Sequence, residues 1–188
     1  MALYMVTRNR GKFEEARQEL ASYGIELGQI EAEKLEVQSD DVVAIARVAA
    51  EDAFRKLHLP LIVDDTGLYI RALNGFPGPY SSYVLERIGL QGVLRLLEGV
   101  PDRHACFRTA VAYVDDDGVA VFTGETCGTI AERPRGSMGF GYDPIFVPEG
   151  ERRTYAEMGV AEKNRISHRG KALRSFASWY VARNTSRR

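Results

Sequence analysis

Two adjacent acids follow a run of aliphatic residues in the stretch LIVDDTGLYI, residues 61 to 70. Leu61 to Val63 are typical of a strand buried on both faces, where a charge is costly unless something compensates it. Asp64 and Asp65 therefore have two interpretations. They form a turn with the Thr-Gly that follows, because these residue types favour turns. Alternatively they hold a metal ion, in which case the chain should bring other groups to the same place.

The segment TRNRGK, residues 7 to 12, has the features of a phosphate-binding loop. The chain leaves a strand at Val6, crosses a polar turn and enters a helix at Gly11-Lys12, so backbone N–H groups and a lysine surround one point. It is not a Walker A motif, because the earlier glycine and the Ser or Thr after the lysine are missing. The candidate phosphate contacts are Thr7, Arg8, Asn9, Arg10, Gly11 and Lys12.

The acid pair is predicted at the loop-side end of a neighbouring strand, where open α/β sheets bind ligands. Magnesium favours a few carboxylates together with water and phosphate oxygens. Asp64 and Asp65 are the candidate ligands, and Glu36, in the segment KLEVQ, is a candidate extra ligand that the chain can bring close.

Two further segments supply groups suited to a base and to phosphates. FGYDP offers the aromatic rings of Phe140 and Tyr142, and Asp143 can accept hydrogen bonds from base N–H groups. EKNRISHRGKA offers Lys163, and His168 and Arg169 open the last helix. Taken singly, each has a structural alternative in the core, in a turn or on a solvated helix face. Together they indicate one ligand with phosphates, a divalent cation and a planar base.

Hydrophobic periodicity predicts the elements that position these groups. A strand at 2–6, a helix at 12–23, a strand at 25–31, a helix from the caps Ser39 and Asp40 to Leu57, and a strand at 59–63 alternate as in an α/β sheet. Then come a turn-rich segment at 74–82, a short helix at 90–97, a hairpin of 105–114 and 119–130 with Asp117-Gly118 at its tip, a glycine-rich loop at 135–144 and a helix at 167–183. The acids at the hairpin tip are assigned to the turn rather than to a metal. No repeat or linker divides residues 1–188, which predicts a single domain.

Composition excludes several classes of protein. The 188 residues are 45% hydrophobic and 27% charged, as in an ordinary globular protein, and the net charge of −1 argues against general nucleic-acid binding. No apolar run reaches the roughly 20 residues that a membrane helix needs, and the N-terminus does not resemble a secretory signal. Cys106 and Cys127 lack metal-ligand spacing and are predicted to be reduced core thiols. We therefore expect a cytoplasmic protein.

In their order, TRNRGK, DDTGLYIRALNGFPGPYSSYV, GFGYDPIFVPEG, TYAEM and EKNRISHRGKAL closely resemble the inosine/xanthosine triphosphate pyrophosphatases. The resemblance runs from Val6 to about Leu173. It implies hydrolysis of ITP, dITP and XTP to the nucleoside monophosphate and pyrophosphate, dependence on Mg²⁺, and a homodimer. It also implies an α/β fold with two lobes around a nucleotide cleft, on a long twisted mixed β-sheet flanked by helices.

The resemblance also assigns roles to residues. It implies that Thr7 to Lys12 bind the triphosphate, that Glu36 and Asp65 hold the metal, and that Asp65 accepts a proton. It makes Thr66 a substrate contact. The implied base loop is Phe140, Gly141, Tyr142 and Asp143, and the implied closing nucleotide contacts are Lys163, His168 and Arg169. Asp64 stands where family members carry Glu or Asp. One position departs from the family: Asp52 stands where many relatives have a lysine, whose phosphate contact is absent or comes from Arg8 or Arg10.

Two other functions remain open at this stage. A related enzyme acting on modified pyrimidine triphosphates is the nearest alternative, and the FGYD and SHR segments favour the purine enzyme over it. A single-stranded nucleic-acid binder could use the same aromatic and basic residues. The acid pair and the net charge of −1 argue against that second alternative.

Overall fold

The computed structural model describes residues 2–186. Its strands are β1 Leu3–Val6, β2 Leu27–Ile30, β3 Leu61–Ile70, β4 Pro77–Gly78, β5 His104–Asp115, β6 Gly118–Ile130 and β7 Phe146–Pro148. Its helices are α1 Arg10–Ala21, α2 Val42–Leu57, α3 Ser81–Leu96, α4 Val160–Ile166 and α5 His168–Thr185. Single turns of 3₁₀-helix lie at Arg71–Leu73, Asp143–Ile145 and Tyr155–Glu157.

The strands form one mixed sheet in the order β2-β1-β3-β5-β6-β7, with β4 paired to the far end of β3. β2, β1 and β3 run parallel, and from β3 through β7 each neighbouring pair is antiparallel. The predicted α/β fold with a mixed sheet flanked by helices is confirmed.

Helices cover the two faces of the sheet because successive strand residues point to opposite faces. Ile62 packs with α1 and α5 in one core, while Leu61 and Val63 pack with α2 in another. The alanines of α2 at 46, 49, 50 and 53 are buried in that second core, and their small size allows a close approach to the sheet. Asp64 consequently points to the side of α1 and α5, and Asp65 to the opposite side.

A third core lies beyond the acid pair and forms the second lobe. In this core, the end of β3 packs against α3, against the ends of β5 and β6 that lie far from their hairpin turn, and against the segments that carry Tyr142 and Tyr155. The ligand cleft lies between this lobe and the first two cores.

The predicted position of the acid pair was wrong, as was the turn interpretation. Every residue of β3 from Leu61 to Ile70 pairs with β5, and Asp64 and Asp65 lie opposite Val111 and Ala110. The strand therefore continues through the acids instead of ending at Val63. Its backbone is held by the β5 ladder on one side, so the local turn preference of Asp-Thr-Gly is overridden.

The helix predicted at 90–97 is longer than expected. It begins at Ser81, directly after the turn-rich segment, and is interrupted at Gly89, whose φ of 64° is left-handed. The predicted hairpin is confirmed in β5 and β6, but its turn is Asp116-Asp117, closed by the pair Asp115 and Gly118. The last helix is also confirmed, with Ser167 as its N-cap.

The two cysteines are not reduced thiols in this structure, which corrects the prediction. Cys106 and Cys127 form a disulfide. They lie directly opposite each other in the β5–β6 ladder, and both are half-buried on the side of the sheet that α2 occupies further along. Within residues 2–186, no helix is long and apolar enough to cross a membrane.

Candidate active site

A cleft of about 620 Å³ lies where the phosphate loop, β3, the base loop and the start of α5 meet. It brings together the predicted site residues from distant parts of the chain, with the exception of Arg10, Gly11 and Asp64, which do not line it. The predicted residues that do line it are Thr7, Arg8, Asn9, Lys12, Glu36, Asp65, Thr66, Phe140, Gly141, Tyr142, Asp143, Lys163, His168 and Arg169.

The phosphate loop is shaped by its own side chains. Asn9 caps α1, and its Oδ1 accepts a hydrogen bond from the Lys12 backbone N–H at 3.0 Å. The Asn9 N–H donates to Thr7 Oγ1, also at 3.0 Å. Gly11 is required by a close approach, because a Cβ there would lie 2.3 Å from the Phe140 ring. Gly11 thus brings the base loop against the start of α1, while Arg10 is exposed.

Asp64 organises the basic groups on the α1 and α5 side. Its Oδ1 lies 3.2 Å from Lys12 Nζ, and its Oδ2 accepts from Arg169 Nε at 3.0 Å. Burial alone would raise the pKa of this carboxyl, but Lys12, Arg169 and Lys34 together hold it below its ordinary value. Asp64 is therefore ionised, with both oxygens occupied by protein groups, and this favours Asp65 over Asp64 as a metal ligand.

Asp65 has a different environment on the other side of β3. Its Oδ1 lies 3.4 Å from Lys34 Nζ, but its buried Oδ2 has no hydrogen-bond partner. Burial raises the pKa of Asp65, and the nearby Asp64 and Glu36 add to the rise. A buried oxygen without a partner is unusual, and here it belongs to a residue that lines the cleft.

Lys34 is a site residue that the sequence did not reveal. Its Nζ donates to the Asp64 carbonyl oxygen at 3.0 Å and lies 3.5 Å from Glu36 Oε1, so the ammonium sits between the two predicted metal ligands. The Glu36 side chain is 67% exposed. Among residues 2–186, the acids Glu36, Asp64 and Asp65 do not offer three ligand atoms that all lie within 4.8 Å of one another.

The donor set nevertheless fits a divalent cation. Carboxylate oxygens are the ligands that Mg²⁺ prefers, and Asp65 Oδ2 is unpartnered. Glu36 is exposed and lies outside any helix or strand, so little packing opposes its approach to Asp65.

A buried acid that the sequence analysis missed, Glu15, joins the closing contacts. Its Oε1 accepts from Lys163 Nζ at 2.5 Å, and its Oε2 accepts from Arg169 Nη1 at 2.6 Å. Lys163 Nζ also donates to Asp143 Oδ2 at 2.6 Å. All four side chains are nearly inaccessible, so the network fixes Lys163 and Arg169 in place before any ligand arrives.

His168 is held neutral at the base of the cleft. Ser167 caps α5, and the His168 ring stacks on Phe107 with centroids 4.4 Å apart and planes inclined by 14°. Burial lowers the pKa of His168 well below its ordinary value, and the cations Arg169 and Lys163 lower it further. Its Nδ1 is buried without a hydrogen-bond partner. A ligand can therefore hydrogen-bond to a neutral imidazole here.

The base loop is closed by Asp143 rather than left open. Asp143 Oδ2 accepts from the Phe140 N–H at 3.0 Å as well as from Lys163. Gly139 has a φ of 73°, and a Cβ there would lie 2.1 Å from the same oxygen. Tyr142 is only 5% exposed, packs in the second-lobe core and donates from its hydroxyl to the Ser81 carbonyl. Direct base contacts by Asp143 and Tyr142 stay predictions.

Thr66 and Asp52 complete the predicted set. Thr66 Oγ1 accepts from Arg169 Nη2 at 3.0 Å and shares a hydrogen bond with Thr109 at 2.7 Å, so it helps to fix the guanidinium. Asp52 pairs with Lys56 on α2 and does not line the cleft. The structure gives no support to a role for the Asp52 position in phosphate binding.

Comparison with known proteins points to one family. A model of the Ham1 family matches residues 3–179. The dITP/XTP pyrophosphatase of Methanopyrus kandleri is 54% identical over 181 residues, which cover 96% of each chain. That of Pyrobaculum aerophilum is 52% identical over 184 residues, 98% of each chain.

Solved structures agree with these sequence matches. A HAM1 protein from Coxiella burnetii superposes with a TM-score of 0.82 at 34% identity, covering 97% of this chain and 100% of that one. The nucleoside-triphosphatase / dITP/XTP pyrophosphatase from Mycobacterium abscessus superposes with a TM-score of 0.71 at 36% identity, covering 94% and 98%.

Proposed function

The chain belongs to the Ham1 family, and from that premise we propose that it hydrolyses dITP, ITP and XTP to the nucleoside monophosphate and pyrophosphate, with Mg²⁺ as cofactor. The observation that carries the proposal is the set of side chains that line the cleft. Fixed basic groups surround Asp65 Oδ2 and His168 Nδ1, two buried atoms that lack partners and belong to residues lining one space.

A charge balance supports the need for a divalent cation. The cations Lys12, Lys34, Lys163 and Arg169 are matched by the anions Glu15, Asp64, Asp65 and Asp143, and each of these groups contacts at least one of opposite charge. A triphosphate adds several negative charges to a site with no surplus of buried positive charge. Asp65 and Glu36 would hold Mg²⁺, which supplies the missing positive charge when it is bound.

Asp65 is the proposed proton acceptor. The carboxylate orients a water molecule for in-line attack on the α-phosphorus and takes its proton. The new bond forms between the water oxygen and the α-phosphorus, and the bond to the oxygen bridging the α- and β-phosphorus breaks. Burial and neighbouring acids raise the pKa of Asp65, which makes it a better base than an ordinary aspartate. Lys12, at the N-terminus of α1, neutralises charge on the departing pyrophosphate.

Base selection rests on the polar edge of hypoxanthine or xanthine. The neutral His168 provides a hydrogen-bonding nitrogen, and the loop Phe140–Asp143 encloses the base. Adenine carries a 6-amino group and no N1–H, so a site adapted to the 6-oxo bases would leave polar groups unpaired. Each such group costs about 1–3 kcal/mol.

A substrate panel tests this function. ITP, dITP, XTP, ATP, GTP and dUTP are incubated with Mg²⁺, and pyrophosphate and orthophosphate are measured separately. We expect pyrophosphate from the first three, almost none from the others, and no turnover in EDTA. Orthophosphate with a nucleoside diphosphate would contradict attack at the α-phosphorus, and preference for dUTP would favour the pyrimidine enzyme.

The homodimer and the cytoplasmic location are also proposals. An apolar patch on the second lobe supports the homodimer: Phe76, Tyr80, Tyr83 and Ile88 are between 42% and 59% exposed. A second copy is its proposed occupant, because large apolar patches on soluble proteins mark interaction sites. Light scattering should give a dimer for the parent and a monomer for Tyr83→Glu; a monomeric parent contradicts the proposal.

Fractionation of cells should place the chain with cytoplasmic markers.

A further inference from the structure

A second group of metal-ligand side chains lies outside the cleft, on the face of the sheet to which Asp65 also points. His104, Cys106 and Cys127 are half-buried near the ends of β5 and β6 that lie far from the hairpin turn. They alternate with Phe107 and Thr126, which point to the opposite side and contact His168 and the Ile166 carbonyl. The group therefore lies on the opposite face of the sheet from His168, and Cys106 is four residues along β5 from Ala110, the partner of Asp65.

The donor atoms of this group converge. One atom from each of the three side chains lies within 4.8 Å of the others, and no other such group of His, Cys, Asp and Glu occurs in residues 2–186. His104 Nε2 lies 3.5 Å from Cys106 Sγ. Glu125 Oε1 lies 3.7 Å from Cys127 Sγ and offers a fourth ligand from the same strand face.

The surroundings hold the potential ligands in place. The His104 backbone N–H donates to Asp102 Oδ1 at 3.1 Å, and Asp102 is itself held by Arg71. Cys106 and Cys127 are fixed by the β5–β6 ladder, in which they are directly opposed. Both cysteines are half-buried rather than enclosed in the core, which leaves a path for a reductant and a metal ion.

Two thiolates and an imidazole suit a thiophilic divalent cation. Zn²⁺ takes cysteine and histidine ligands in a tetrahedral arrangement, often with a carboxylate or water as the fourth ligand. Mg²⁺ prefers oxygen ligands, so it does not compete for this site. The disulfide present in the structure leaves no thiolate available, and the site therefore depends on the redox state.

We propose that His104, Cys106 and Cys127, assisted by Glu125, form a zinc-type site that is closed by the disulfide and opened by reduction. A cellular dithiol supplies two electrons and two protons, becomes a disulfide itself and leaves two cysteine thiols. A divalent cation then binds the two sulfurs and the imidazole, and two thiol protons are released. The ends of β5 and β6 are cross-linked in both states, by sulfur–sulfur bonding or by the metal, so the two strands keep their register.

Cobalt absorption tests this site directly, because thiolate-bound Co²⁺ has an intense near-ultraviolet charge-transfer band. The full chain is reduced with a dithiol, freed of it without oxygen and titrated with Co²⁺ and then with Zn²⁺. In the reduced chain, we expect the thiolate band to grow until one equivalent of Co²⁺ has been added and to disappear as Zn²⁺ displaces Co²⁺. In the oxidised chain, we expect no band. No band in the reduced chain would overturn the proposal.

Variants separate this site from the cleft. The band should vanish in Cys106→Ser and Cys127→Ser, and the Co²⁺ affinity should fall at least tenfold in His104→Ala. His58→Ala, at an exposed histidine that caps α2, and Asp65→Asn, in the cleft, should both keep the band at full strength. An unchanged band in His104→Ala, or its loss in Asp65→Asn, would contradict the assignment. The outcome is independent of nucleotide hydrolysis, so it stands apart from the proposed function.

Discussion

The two walls of the cleft are built in opposite ways. On the α1, α4 and α5 side, Glu15, Asp143, Lys163 and Arg169 are at most 4% exposed, and each contacts at least one opposite charge. On the other side, residues 31–41 form no helix or strand, and Glu36 in that segment is 67% exposed. The first wall is fixed by its own charges; the second is held by few contacts.

Because of this difference, the first wall has its binding geometry before a ligand arrives, whereas the second can adjust to the ligand. Buried ion pairs resist change, because removing one partner leaves an uncompensated charge and typically costs 3–5 kcal/mol. Exposed charges such as Glu36 contribute little to stability and can move toward a ligand at low cost. The fixed wall is therefore suited to holding the nucleotide, and the open wall to completing the site around a metal. Asp65, between the two walls, takes part in both.

The largest effect is expected from Asp65→Asn, which removes the carboxylate between the walls and nearly preserves its shape. Loss of the proton acceptor should lower kcat/KM for ITP by about 10²–10⁴-fold. Stability in EDTA should be unchanged or slightly higher, because burial raises the pKa of Asp65 and the variant removes repulsion with Asp64. The two measurements are kcat/KM and the melting temperature in EDTA.

Asp64→Asn is the control for that variant, because Asp64 belongs to the fixed wall. It should lose stability as well as activity, since Lys12 loses its ion pair and Arg169 loses one of its two. Equal behaviour of the two variants would contradict the distinction between the acids.

The fixed wall can be broken at its centre by Glu15→Gln. We expect the free energy of unfolding to fall by about 3–5 kcal/mol, because Lys163 and Arg169 would stay buried next to a neutral amide. Denaturant unfolding measures this loss. Glu14→Gln is the matched control: Glu14 is the neighbouring residue, its side chain is 44% exposed and it pairs with the exposed Arg17, so its change should stay below about 1 kcal/mol. Similar losses in both variants would mean that the buried network adds no particular stability.

The open wall is tested by Lys34→Met. The ammonium of Lys34 lies between Asp65 and Glu36 and repels a divalent cation there. Its removal should raise the Mn²⁺ affinity roughly tenfold, about 1.4 kcal/mol, as measured by calorimetry without nucleotide. Arg8→Met is the control, since Arg8 lines the same cleft but is 64% exposed and paired with Glu33. Weaker Mn²⁺ binding in Lys34→Met would show that Lys34 supports the metal site instead.

Sequence patterns predicted most of the elements of the fold. The apolar face of α5 and the turn signal of the β5–β6 hairpin are local, and both elements were confirmed. The path of β3 through its acids could not be predicted in the same way. It depends on cations from α1, α5 and the 31–41 segment that compensate the buried carboxylates, and such long-range contacts leave no local pattern.

The same distinction between local patterns and long-range contacts explains which site residues could be predicted. Lys12, Asp65 and His168 were found because each belongs to a short segment, TRNRGK, LIVDDTGLYI or EKNRISHRGKA, whose residue types suit phosphates or a metal ion. Glu15 was missed because it lies 154 residues from Arg169 and nothing in α1 distinguishes it from Glu14. The disulfide was missed because the two cysteines were judged by their spacing along the chain. They are 21 residues apart in the sequence but directly opposed across the β5–β6 ladder.

The smallest effect concerns acid stability, and it also belongs to the fixed wall. Burial lowers the pKa of His168 well below its ordinary 6.5, so the folded chain keeps this imidazole neutral where the unfolded chain protonates it. The unfolded state then binds more protons, and stability falls as the pH drops through 6.5. One such group lowers the free energy of unfolding by about 1.4 kcal/mol between pH 7.5 and 5.5. Denaturant titrations at the two pH values measure the difference. His168→Gln cannot titrate and should remove this part of the loss, even though the variant is less stable at both pH values. His58→Ala, at the exposed C-cap of α2 and outside this network, is the control variant and should keep the full loss of stability. An undiminished pH dependence in His168→Gln would mean that the carboxylates of the network, not the imidazole, control acid stability in this range.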